Sequence, residues 1–412
     1  MSVFNQGPMS FNKNQNFWST KPQQNSSCFS FPVLFTGLLH IPNSIQTPTI
    51  NTYINRKYIY FAYDCHSISK AKITWSIIES FIEPENKNYK FGFNIKNHKG
   101  SQDFLLESET ELEKWLEHFS GLGVLSGFDQ DYCVIKNIDI GRFGSVSLCQ
   151  DIMTANEFAV KMIKKELLND NMKIKQVKDE IKAMRRINSP VCVKLYRVYE
   201  DDENVFLVME YLPYGNLLQR LMKVRKFEEW EAVLLVRNLF EVIYYFGAIG
   251  IVHRDIKLEN LLMVSANNNY EIKIVDFGLA CRSEKTRSKK CGSPGFIAPE
   301  ILNGLEYCNK VDVFSAGVVI YALLAGKLPF FSKNMHTALE KNQNCEVIFE
   351  RQEWKTRSHL AINFIRGVLT RDPASRPTAE EALNHPWINK LTQNTNPGYL
   401  SPRLTFTDLK SN

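Results

Sequence analysis

His253-Arg-Asp-Ile-Lys-Leu-Glu-Asn260, followed by Ile274-Val-Asp-Phe-Gly278, decides the reading of this chain. An apolar helical stretch, Val233 to Ile251, leads into the first of the two. Upstream, Phe158-Ala-Val-Lys161 sets a lysine inside an apolar strand, where its charge is costly unless paired. In the helix that follows, Ile174, Val177, Ile181 and Met184 form the inner stripe. Glu180, three residues after Val177 and four before Met184, faces the same way. Lys161–Glu180 is therefore the expected ion pair, although Glu180 taken alone suits a surface charge better. Farther upstream, Ile138-Asp-Ile-Gly-Arg-Phe-Gly-Ser-Val146 joins two β-like runs. Glycines at 141 and 144 let backbone N–H groups approach phosphates, with Phe143 placed to cap them. A glycine pair by itself suits any hairpin.

Downstream, Ala298-Pro-Glu300, Asp312 in D-V-F-S-A-G and Arg376 in D-P-A-S-R-P complete an ordered series. The whole series resembles the protein kinase signature. The resemblance implies a bilobal fold, with a β-rich small lobe and an α-rich large lobe, that transfers phosphate from ATP with Mg²⁺. It implies Asp255 as the group that orients the acceptor hydroxyl, and Lys257 as the charge beside the transferring phosphate. The K-x-x-N form of Lys257 to Asn260 is similar to serine/threonine kinases. Lys161, held by Glu180, reaches the α/β-phosphates, and Asn260 and Asp276 offer hard oxygens to the metal. Ile138, Gly141, Phe143 and Gly144 belong to the phosphate loop. Val146, Ala159 and Leu262 sandwich adenine, while the backbone of Glu210 and Leu212 bonds its edge and Met209 guards the pocket. Met184, Leu195, His253 and Phe277 form an apolar spine. Asp312 braces the His253–Arg254 turn, and Arg376 partners Glu300.

The run from Trp354 to Ile388 resembles the calcium/calmodulin-dependent kinase group. No D-x-D-x-D-G…E loop and no basic amphipathic helix accompany it, so neither calcium nor calmodulin is an expected direct partner. Asp139 replaces the first glycine of the usual loop, Phe314 replaces a tryptophan, and Asn216 and Ala322 stand where basophilic relatives carry glutamates. Only Glu259 remains to read substrate arginines. Lys289 occupies the usual activating threonine position, leaving Thr286 and Ser288 as the alternatives.

Ahead of this region, residues 32–121 are β-rich. Strands are expected at Tyr58–Phe61, Ile73–Phe81, Tyr89–Ile95 and Phe104–Leu106, followed by one helix from Glu109 to about Phe119. Its residues Leu112, Trp115, Leu116 and Phe119 form one stripe. G-L-L-H (37–40), K-Y-I-Y-F (57–61) and E-x-x-x-W (111–115) resemble a pleckstrin homology domain, implying a β-barrel capped by a helix. Basic residues expected of a phosphoinositide site are sparse: Ile41, Asn55, Arg56 and Lys57 stand at those positions. One or two cations give about 1 kcal/mol each at an anionic surface, so weak membrane or protein docking is the expectation for residues 32–121.

The chain is thus read as an α+β multidomain protein: a polar Asn/Gln/Ser-rich arm (1–31), the pleckstrin-like domain (32–121), a linker (122–131), the catalytic domain (132–387) and a polar tail (388–412). Its 412 residues are 44% apolar and carry a net charge of +6, too dilute for a dedicated nucleic-acid protein. Nine scattered cysteines without C-x-x-C spacing argue against a zinc ribbon and for a reducing compartment. With no signal core and no membrane span, the expected location is the cytoplasm, with peripheral membrane contact. The expected partners are protein substrates.

Overall fold

The computed structural model describes residues 35–40, 49–54, 58–62, 73–76, 81–84, 92–97, 100–106, 108–120, 123–141, 144–268, 270–282, 290–350 and 352–393. They belong to two compact units, Met1–Lys178 with Lys194–Tyr211, and Asp179–Val193 with Leu212–Asn412.

The first unit opens with β1 (Phe35–His40), β2 (Thr49–Ile54), β3 (Tyr58–Ala62), β4 (Ile73–Ser76), β5 (Phe81–Pro84), β6 (Gly92–Asn97) and β7 (Gly100–Leu105). Their order across the sheet is β4-β3-β2-β1-β7-β6-β5, with antiparallel neighbours throughout. The run read as a single strand over 73–81 is two strands at opposite ends of this order. Among the described residues β4 and β5 do not pair, so the expected barrel over 32–121 is an open layer. The helix does follow, as α1 (Glu109–Ser120). Ser108 starts it, its Oγ accepting the Glu111 N–H at 3.2 Å. Trp115 and Phe119 are buried against Phe93, with centroids 5.9 and 5.1 Å from its ring. Trp115 is a core plug.

Next come β8 (Val124–Leu125), α2 (Phe128–Asp131), β9 (Tyr132–Gly141), β10 (Gly144–Asp151), β11 (Glu157–Lys164), α3 (Asn171–Arg186), β12 (Leu195–Glu200) and β13 (Asn204–Glu210). Within the stretch read as a linker, β8 and α2 are formed. β8 runs parallel to β5 on one side and β12 on the other, which explains the open layer: β5's second edge is taken by β8. One 13-stranded sheet therefore continues from the N-terminal strands to β9. Phe128 is buried and stacks on Phe206 at 4.3 Å, inside a cluster that holds Tyr132, Tyr199 and Val208. Asp131 caps the cluster, accepting the Tyr199 hydroxyl and pairing with Arg197 Nη1 at 3.5 Å. Phe128→Ala is expected to cost about 3–5 kcal/mol, the lost transfer free energy of one buried Phe plus the cavity it leaves. An unchanged urea-unfolding midpoint would show that the cluster does not need it.

The second unit, which takes α3 from Asp179 onward, holds α4 (Leu217–Val224), α5 (Glu229–Ala248), β14 (Ile251–Val252), β15 (Leu261–Met263), β16 (Ile272–Ile274), β17 (Cys281–Arg282), α6 (Pro299–Leu302), α7 (Lys310–Ala325), α8 (Met335–Asn344), α9 (His359–Val368), α10 (Ala379–Leu383) and α11 (Pro386–Gln393). Capping explains several starts. The Asn216 and Thr378 side chains each accept the N–H three residues on, from Gln219 and Glu381, and their own backbone N–H groups donate back to the Gln219 and Glu381 side chains. α7 is apolar nearly all round and buried from Val311 to Leu324, the pattern of a helix at the centre of a bundle. α5 and α9 pack against it. β14 pairs with β17, and β15 with β16, so two short ribbons present the polar motifs. No helix among the described residues is long and apolar enough to cross a membrane.

Candidate active site

β14 delivers His253, Arg254 and Asp255 into a turn that no ladder can hold, because Arg254 takes a left-handed φ of 69°. Asp312 of α7 holds it instead. Its Oδ2 accepts the His253 N–H and its Oδ1 the Arg254 N–H, both at 2.8 Å. Burial pushes the Asp312 carboxyl up, opposed by His253 and by these two N–H groups. The Arg254 guanidinium donates to the Leu279 carbonyl at 2.7 Å and the Tyr307 hydroxyl at 2.9 Å. The brace expected of Asp312 is present.

Asp255 is 8% exposed and its carboxylate is oriented from three sides. Oδ1 accepts the Ser293 hydroxyl at 2.7 Å, and Oδ2 accepts Asn260 Nδ2 at 3.0 Å. Lys257 Nζ lies 3.1 Å from Oδ2 and donates to Ser293 Oγ at 2.8 Å. Asn260 Nδ2 also reaches the Asp255 carbonyl at 2.9 Å. Both amide hydrogens are thereby used on Asp255, which fixes the side chain and leaves Oδ1 as its acceptor for a cation. Ser293 was not singled out from sequence. Its only local signal is a small polar residue between Gly292 and Pro294, and what links it to Asp255 is purely tertiary.

A second group of charges gathers at Gly278. A Cβ there would lie 3.1 Å from Asp276 Oδ1 and 3.4 Å from Glu180 Oε2, so glycine lets two carboxylates approach one backbone position. Glu180 is buried and Asp276 exposed, the latter at a left-handed φ of 61°. Phe277 anchors the turn, its ring 5.0 Å from His253 and 5.9 Å from Phe246. Among the described residues no three His, Cys, Asp or Glu side chains form a metal cluster. Asp276 and Asn260 nevertheless fit a hard cation that takes one or two protein oxygens and completes its shell with substrate phosphates and water.

The residues expected at the phosphates and adenine lie in the first unit, apart from Leu212, which begins a segment of the second, and Leu262 on β15. Lys161 sits partly buried on β11, between Val146 of β10 and Leu207 of β13. Ala159, two residues back, pairs with Met209, and Met209 with Leu195. Glu210 donates its N–H to the Lys194 carbonyl at 3.0 Å. Ile138 is exposed on β9, and Phe143 lies outside the described residues. The two glycines differ. A Cβ on Gly144 would fall 1.8 Å from the Met162 carbonyl, so strand pairing alone demands glycine there. A Cβ on Gly141 would meet only the Gly144 carbonyl, at an ordinary 3.7 Å, so packing makes no such demand. Lys161 belongs to the first unit and Glu180 to the second.

Residues 132–388, more than half of the chain, match the family described as protein kinase domain. The chain belongs to the protein kinase family. It is 39% identical over 270 residues to serine/threonine-protein kinase PEPKR2 of Arabidopsis thaliana, covering 65% of this chain and 55% of that one. It is 34% identical over 256 residues to calcium-dependent protein kinase 5 of Plasmodium falciparum, covering 62% and 44%. Calcium-dependent protein kinase 29 of Arabidopsis thaliana is 36% identical over 260 residues, covering 62% and 48%. The chain spans about half the length of these relatives.

The departures from the usual kinase pattern have local explanations. Asn216 is committed to capping α4, its Oδ1 accepting the Gln219 N–H at 2.9 Å. Ala322 is buried in α7 and Glu259 is exposed. Asp139 is exposed on β9 and accepts the Ile140 N–H at 2.8 Å. Phe314 fills the tryptophan position, with Arg376 over its ring at 4.9 Å and Phe330 stacked at 6.1 Å. Thr286, Ser288 and Lys289 lie outside the described residues, as do Ile41, Asn55, Arg56 and Lys57.

Proposed function

We propose that this chain is a serine/threonine protein kinase that transfers the γ-phosphate of ATP to hydroxyls of protein substrates. The observation that carries the reading is Asp255 held by Ser293, Asn260 and Lys257. A carboxylate fixed in this way accepts the hydrogen bond of an acceptor hydroxyl and points its oxygen in line with the phosphate, which is most of what phosphoryl transfer requires. Lys257, already paired to Asp255, offers positive charge to the transferring group. The protein kinase resemblance implies Lys161 for the α/β-phosphates, with Glu180 as its partner. Mg²⁺, when bound at Asp276 and Asn260, supplies charge neutralisation to the phosphate oxygens. The same resemblance implies Val146, Ala159 and Leu262, with the Glu210 and Leu212 backbone, as the residues for adenine. The names of the kinase relatives and the K-x-x-N spacing support serine and threonine as acceptors. Transfer from MgATP to a generic basic protein tests this, read by phosphoamino-acid analysis; absence of phosphoserine and phosphothreonine overturns it.

Although two relatives are named as calcium-dependent, the sequence carries no calcium loop, and this chain is proposed to act without calcium. Adding calcium, with or without calmodulin, is expected to change its rate less than about twofold, and a tenfold rise would refute this. Seven antiparallel strands followed by a helix with buried Trp115 support a pleckstrin-like reading of residues 32–121. Its proposed role is regulation through β8, which ties β5 to β12 of the kinase sheet. A cytoplasmic location is proposed from the free thiols of every cysteine among the described residues.

A further inference from the structure

The segment that carries Ser293 is held from outside the catalytic motifs. Residues 293–296 form a turn closed by the Phe296 N–H on the Ser293 carbonyl at 3.1 Å. The two carbonyls that follow have no strand or helix partner of their own, and each is taken by a side chain from a different helix. Ser315 of α7 donates to the Phe296 carbonyl at 2.8 Å. Asn342 of α8 donates through Nδ2 to the Ile297 carbonyl at 2.9 Å. The Ile297 side chain then braces the start of the turn. A Cβ on Gly292 would lie 3.1 Å from Ile297 Cγ1 and 3.0 Å from the Arg254 carbonyl, so Gly292 is clasped between Ile297 and the catalytic turn. A contiguous series runs from Asn342 through Ile297 and Gly292 to Ser293 and Asp255.

Asn342 stands out within α8. Its other described residues are exposed or half-buried, yet Asn342 is fully buried, and its Oδ1 has no hydrogen-bond partner. A buried unmet acceptor is costly, so a residue chosen for stability alone would be apolar here. Keeping the amide makes sense if its donor matters more than its orphan oxygen costs. We propose that Asn342 is a positioning residue: it sets the backbone of residues 292–297, and through Ser293 the place where the acceptor hydroxyl meets Asp255.

The proposal rests on the phosphoryl-transfer reading above, but its test does not depend on that reading alone. Asn342→Leu in the full chain exchanges one unmet acceptor, Asn342 Oδ1, for another, the Ile297 carbonyl, in a side chain of similar branched outline but larger volume. The loop is released, and the unfolding midpoint reads the cost of the extra volume separately. The expected result is a rise of about fivefold or more in KM for a protein acceptor, the size of one lost hydrogen bond. KM for ATP stays within about twofold, and amide exchange accelerates across residues 292–297. Asn342→Ala, a second variant, should show the same split, with a lower unfolding midpoint added by its cavity. Equal KM values and unchanged exchange would overturn the proposal. So would a parallel loss for both substrates that tracks the fall in midpoint, which is the mark of a merely structural residue. If the parent chain shows no transfer at all, the functional reading fails, and the exchange comparison alone decides the role of Asn342.

Discussion

Asp255→Asn is expected to lower turnover at least about a hundredfold, within the range that a positioned acid–base group contributes. Asparagine keeps the size and planarity of the side chain but removes the charge that three neighbours answer. Lys257 Nζ at 3.1 Å loses its counter-ion. One amide end must also face either the Ser293 hydroxyl or Asn260 Nδ2, both of which now donate to a carboxylate oxygen. The ground-state fold should survive, because Asp312 rather than Asp255 braces the turn. ATP binding, proposed to rest on other residues, should persist. The measurement is single-turnover phosphate transfer alongside nucleotide binding. Equal turnover by the parent and the variant, with equal folding, would sink the assignment of Asp255.

Arg376→Ala is expected to destabilise the second unit by about 3–5 kcal/mol, the cost of leaving a buried charge without its partner. Arg376 and Glu300 are 1% and 2% exposed and meet end-on, Nη1 to Oε1 at 2.7 Å and Nη2 to Oε2 at 2.9 Å. Every other N–H of the guanidinium is used as well: Nε on the Thr370 carbonyl, and Nη1 and Nη2 on the carbonyls of Lys310 and Arg371. Truncation therefore strands Glu300 and three carbonyls together. Native domains have only about 5–15 kcal/mol in hand, so the variant should unfold roughly 10 °C lower in a domain of this size. Arg376→Lys should recover little, since an ammonium cannot make the forked pair. The double change Arg376→Met with Glu300→Leu should recover much of the loss, because neither charge is then buried alone. A midpoint within about 3 °C of the parent for Arg376→Ala would contradict this view of the pair.

By itself, the sequence determined the kinase fold, the order of its motifs and the residues in each, because those motifs are local: backbone turns and charged side chains fixed within a few positions. It also determined which face of α1 and α3 is apolar, since helical periodicity is a property of neighbours in the chain. What it did not contain is pairing between distant segments. Ser293 reaches Asp255 across 38 residues, and Asn342 reaches Ile297 across 45. The stretch around Val124 reads as a glycine-flanked linker because two-residue strands have no periodicity to detect, yet it completes one sheet between β5 and β12. The alternating run at 73–81 reads as one strand for a similar reason, since alternation persists whether or not the chain turns partway. Gly144 looks from sequence like a phosphate-loop glycine, and only the 1.8 Å approach to the Met162 carbonyl reveals a second, purely steric demand. Tertiary structure decided these points because hydrogen-bond partners and close contacts depend on where remote backbone arrives, and no local pattern encodes that arrival.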